Sequence, residues 1–141
     1  MILISLFLLY STCCLCISVY QTRIKKNYFG LSHFFIPLGA FVWTDGVIFG
    51  FFWTLASIVL FILIKPITIL LVFSLFWTVR SAGEVIYWLL EQFAVKKRNP
   101  PPTLFLYRFF PNESVFIVMQ ILWQCILVMC LFADILVIKQ L

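Results

Sequence analysis

The chain has 141 residues, of which 65% are hydrophobic and 19% aromatic, and only 11% are charged; its mean hydropathy is +1.14. Soluble domains carry about a quarter charged residues, so this is a membrane composition, with length for one domain and no appended soluble enzyme. The net charge of +5 lies in short clusters beside apolar runs, which is the pattern of cytoplasmic loops and anionic headgroups and not of a nucleic-acid surface.

From the N-terminus, Met1 to Tyr20 carries no charge and is long enough to cross a hydrocarbon core of about 30 Å. A first span over about residues 2–20 is therefore expected. A signal peptide is the competing reading, but there is no basic leading segment and no small-residue cleavage site. Cys13, Cys14 and Cys16 lie inside this run, and Cys125 and Cys130 lie in the last apolar run. None forms a C-x-x-C, so all five read as small apolar fillers, with acylation of the first group as the alternative.

A loop over 21–38 follows, with Arg23, Lys25 and Lys26 and then "NYFGLSHFFIP". Its basic and aromatic residues suit the headgroup layer, and His33, the only histidine, reads as solvated there. The next apolar block, about Leu38 to Phe93, is too long for one crossing. Its only central break is Lys65-Pro66, where proline disfavours helix in the residue before it. The pattern predicts spans over about 40–64 and 67–93 joined by a tight hairpin there.

The loop over 94–112 repeats the features of the first: Lys96, Lys97, Arg98 and Arg108, aromatics, and Phe-Phe before a proline. Shared interfacial demands account for the likeness, and a duplicated two-helix unit is the alternative. A fourth span over about 113–138 follows, with Asn112 as N-cap and Glu113 at the positive end of the helix dipole. The expected fold is thus an all-α integral membrane protein, one membrane domain (1–141) of four transmembrane helices. Seven basic residues in loops one and three face only Lys65 and Lys139 on the other side. That bias places both loops in the cytoplasm and both termini outside.

Few polar residues interrupt the spans. Counted from the turn at Lys65-Pro66, Asp45 and Glu84 fall in one inner layer, with Arg80 one helical turn from Glu84. A charge at mid-span costs about 2.5–3.5 kcal/mol, so a cluster of Asp45, Arg80 and Glu84 is expected, with Gln120 and Gln124 presenting amides to the same layer. Gly46 and Gly50 form a G-x-x-x-G, and Gly39 and Ser57 extend that face, suiting a close helix contact. The run Ser81-Ala82-Gly83 lies between the two charges of the third span. Tyr87, Trp88 and Glu91 read as interfacial anchors, and Asp134 as solvated or locally paired.

These readings point first to a structural or interaction protein, a scaffold or accessory subunit, whose polar cluster fixes helix packing. The expected partners are the bilayer, anionic headgroups at the cytoplasmic face, and another membrane protein or a second copy, with no nucleic acid. The alternative is a small oligomeric ion- or proton-coupled transporter or channel using Asp45 or Glu84. An intramembrane enzyme is disfavoured, since no H-E-x-x-H, G-x-S-x-G or phosphate loop occurs. No catalytic residue, metal ligand or cofactor is expected.

Overall fold

The computed structural model describes residues 2–30, 33–63, 66–97 and 104–141, and these are helical with no β-strand among them. Four helices dominate: α1 (Ile2–Val19), α2 (Trp43–Leu63), α3 (Pro66–Phe93) and α4 (Ser114–Ile138). With the turn that extends α1, each is long and apolar enough to cross a membrane. The hairpin expected at Lys65-Pro66 falls on Lys65, and the basic cluster of the third loop includes Arg98; both lie outside the described residues.

The chain divides into two compact units, Met1–Ile69 and Leu70–Leu141, and each is described by itself. In the first unit, α1 and α2 pack closely as an antiparallel pair. The buried face of α2 runs through Gly46, Gly50, Trp53, Ser57 and Leu60, alternating steps of four and three residues. That is the spacing of helices packed at a shallow angle. A Cβ on Gly50 would come within 3.0 Å of Leu15 Cα, and one on Gly46 would run into Ser18 Oγ. The G-x-x-x-G thus meets α1 of the same chain, and missing side chains let the backbones approach.

On α1 the facing residues are Ser11, Cys14, Ser18 and Thr22, all buried. Thr22 belongs to a π-helical turn, Tyr20–Ile24, that continues α1. One extra residue in a turn shifts the helix face, and Thr22 rather than Gln21 stays against the core. The Thr22 hydroxyl donates to Ser18 O at 2.8 Å, and the hydroxyls of Ser57 and Thr54 donate to Trp53 O and Gly50 O. Donors satisfied within their own helix add bulk no larger than a methyl at the contact.

Gly39 departs from expectation. It precedes α2, in a turn after the 3-10 helix His33–Leu38, with φ of 75°. That left-handed backbone suits glycine, so Gly39 reverses the chain and does not extend the helix face. The 3-10 segment folds back on the helix pair: Phe35 and Leu38 are buried, Trp53 Nε1 donates to Leu38 O at 3.3 Å, and Phe35 meets Trp43 edge to face. The two phenylalanines divide, because Phe34 stays exposed while its backbone carbonyl accepts from Tyr10.

Candidate functional site

The second unit holds every charged or amide side chain of α1–α4 except Asp45. On α3, Ser74, Thr78, Ser81, Val85, Trp88 and Gln92 follow one another by alternating steps of four and three. On α4, Phe116, Gln120, Trp123, Leu127, Cys130 and Asp134 do the same. Such a period keeps one stripe of each helix facing its neighbour. The two stripes meet antiparallel at both ends of the seam. At one end Thr78 donates to Asp134 Oδ2 at 2.7 Å and Ser74 donates to Cys130 O at 3.4 Å. At the other, Gln92 donates to Gln120 Oε1, and Trp88 stacks on Phe116 with centroids 6.2 Å apart. Here the helices meet through hydrogen-bonding and aromatic side chains.

Beside this seam, Arg80 and Glu84 form an i, i+4 ion pair, with side chains 15% and 12% exposed. Glu84 Oε2 also accepts from Trp88 Nε1 at 3.0 Å. One carboxylate therefore answers both a guanidinium and an indole on its own helix, and charge-assisted bonds of this kind are the stronger class. Trp88 and Glu91 are buried; Trp88 packs against α4 instead of serving as an exposed interfacial anchor. Of the small run between the charges, Ser81 is buried and donates to Trp77 O, whereas Gly83 faces open space.

The two glutamines of α4 part company. Gln120 lies in the seam with Gln92. Trp123 takes the next seam position, so Gln124, one residue on and about 100° around the helix, lies on the exposed face with Ile121, Cys125 and Val128. Asp45 lies in the first turn of α2, where Phe41 N–H donates to its Oδ2 at 3.4 Å. The positive end of the helix dipole favours a carboxylate there. Asp45 belongs to the first unit, and Arg80 and Glu84 to the second.

The basic residues also divide. Arg23, Lys25, Lys26, Lys96 and Arg108 are exposed, as headgroup contacts require. Lys97 instead donates to the carbonyls of Glu91 and Gln92 at 2.8 and 2.7 Å, which are among the last carbonyls of α3, beyond the reach of its regular i→i+4 ladder. Its ammonium also lies 5.2 Å from the centre of the Phe116 ring and 3.8 Å from Glu113. Lys97 thus caps α3 and ties it to the start of α4. Asn112, expected as an N-cap, has φ of 61°. It reverses the chain, and Glu113 occupies the cap position without a side-chain bond.

Asp134 is the largest departure. It is 5% exposed, with one oxygen bonded to Thr78 and the other, Oδ1, buried without a hydrogen-bond partner. Gln92, Trp88 and Asp134 were legible in the alternating four-and-three spacing, which an i, i+4 reading of glutamines and charges passes over. Among the described residues no three His, Cys, Asp or Glu side chains group as a metal site. Comparison with known family models, curated proteins and solved structures finds no match.

Proposed function

We propose that the protein is a membrane-embedded structural or interaction protein whose polar residues hold its helices in register. The supporting observation is that polar side chains of α3 pair with those of α4 at both ends of one seam, Thr78 with Asp134 and Gln92 with Gln120. Polar groups committed to each other across a contact specify packing, because any other register would strand them in an apolar surround.

In this reading both termini lie outside and loops one and three face the cytoplasm, where their basic residues meet anionic headgroups; the chain turns back at Lys65-Pro66. Gln124, with its exposed apolar neighbours on α4, offers an amide to another membrane protein or a second copy. Ion-coupled transport through Asp45 or Glu84 is the competing reading. It has less support, since Asp45 is engaged at a helix N-terminus and Glu84 by Arg80 and Trp88.

The test is flux in proteoliposomes of the purified protein. Proton and alkali-ion leak equal to that of empty vesicles, together with lower folded yield for Gln92→Leu, is the expected result. Flux that disappears in Glu84→Gln would overturn the structural reading in favour of transport. Cysteines introduced as Lys26→Cys and Lys96→Cys should label only from the cytoplasmic side, and labelling from the other side would invert the topology.

A further inference from the structure

One oxygen of Asp134 is accounted for and the other is not. Oδ2 accepts from Thr78, while Oδ1 is buried with no partner on a residue that is 5% exposed. Thr78 falls close to the midpoint of the 28-residue α3, so this bond holds the carboxyl level with the middle of a helix long enough to span a membrane. A carboxylate at that depth is costly, and a buried polar atom without a partner needs a water or an ion to complete it.

Ser74 lies one turn from Thr78, and its hydroxyl reaches the backbone carbonyl of Cys130 at 3.4 Å. Cys130 lies one turn before Asp134, and its carbonyl, which also takes the helical bond from Asp134 N–H, fixes the Ser74 hydroxyl on that face of α4. Asp134 is the only charged residue in α4. On the facing helix the nearest charges along the chain, Arg80 and Glu84, are paired with each other.

We propose that Asp134, with the hydroxyl oxygens of Thr78 and Ser74, binds a small alkali cation of the sodium class within the α3–α4 seam. Hard cations take oxygen ligands, and a carboxylate beside hydroxyl oxygens supplies them. The single carboxylate selects the charge. A monovalent ion neutralises it, whereas calcium needs six to eight oxygens and in practice several carboxylates, and would leave a net positive charge in an apolar seam. The Cys130 thiol is a soft group and takes no part. The bound ion would link the two helices, so occupancy stabilises the hairpin. Binding of this kind requires no flux, and it stands or falls separately from the structural reading.

The test is thermal unfolding of the purified full-length protein in detergent, titrated with sodium chloride against choline chloride at constant ionic strength. Ligand that binds only the folded state raises Tm with saturation. The expected result is a saturating rise in sodium, none in choline, and no sodium dependence in Asp134→Asn. Thr78→Val, which keeps the side chain's shape, should raise the sodium midpoint by about tenfold or more. Glu84→Gln should leave the sodium response in place. Equal rises in the two salts, or a sodium response surviving in Asp134→Asn, would overturn the proposal. Should Asp134→Asn fail to fold, an unchanged midpoint in Thr78→Val overturns it instead. Loss of the response in Glu84→Gln but not in Asp134→Asn would also overturn it, by placing the ion at Glu84.

Discussion

The two helix pairs share a plan and differ in chemistry. Each is an antiparallel pair with a connecting loop that carries a basic cluster, a 3-10 segment and a Phe-Phe. In each, contact residues advance by alternating steps of four and three. Trp53 and Trp123 take equivalent places in the two stripes. In the first pair, however, the contact is built by subtraction: Gly46 and Gly50 face Leu15 and Ser18, the Thr22, Thr54 and Ser57 hydroxyls donate within their own helices, and the backbones come close. In the second it is built by addition: side chains reach across the seam and end in hydrogen bonds and a ring stack. Without a hydrophobic drive between helices in lipid, close packing and interhelical hydrogen bonds are the two available sources of association. The first pair shows close packing at its glycines, and the second shows side-chain hydrogen bonds along its seam.

If that division holds, substitutions should discriminate between the pairs. The largest effect is expected from Arg80→Ala, which leaves Glu84 partly buried with only the Trp88 bond. Removing one partner of a buried pair costs about 3–5 kcal/mol; with both side chains a little exposed, we expect the lower end, about 3 kcal/mol, read as lost folded fraction in a detergent unfolding titration. Adding Glu84→Gln should recover part of the loss, and a strictly additive double variant would show that the pair does not matter.

Next comes Gly50→Leu, where a side chain must displace the α1 backbone at Leu15. Overpacking costs about 1–3 kcal/mol. Gly83→Leu, on a face with open space, should be close to neutral in the same titration. Equal losses at the two glycines would mean that helix propensity, and not the close approach to α1, sets the outcome.

The smallest effect belongs to the seam amides. Interhelical hydrogen bonds in membranes average about 0.6 kcal/mol, so Gln92→Leu and Gln120→Leu should each cost about that or somewhat more. The double variant should be nearly neutral, because removing both partners strands neither. A double variant as costly as the sum of the singles would place Gln92 and Gln120 in separate contacts.

Much of the architecture could be read before any coordinates. Charge avoidance over four runs marked four helices long and apolar enough to span a membrane, since hydropathy and length are local quantities. The i, i+4 relation of Arg80 and Glu84 was also legible, because one helix decides it. Legibility ended where a partner helix was needed. Gln120 and Gln124 looked equivalent, yet only Gln120 lies on the stripe that α3 meets. Lys97 looked like one more headgroup contact, yet it closes the end of α3. Asp134 looked solvated or locally paired from its place near the end of α4, yet Thr78 of α3 holds it and it is buried.

The amino-acid sequence by itself determined which segments are apolar enough to span a membrane, where glycine allows close approach, and which charges share a helical turn. Each of these follows from composition or from the geometry of one helix. Only the tertiary structure decided which polar residue faces which: that the G-x-x-x-G meets α1, that Gln92 answers Gln120, and that Asp134 is held by Thr78 with one oxygen unmet. Burial and hydrogen bonding across a seam depend on the rotation and stagger of two helices at once, and neither helix encodes those alone.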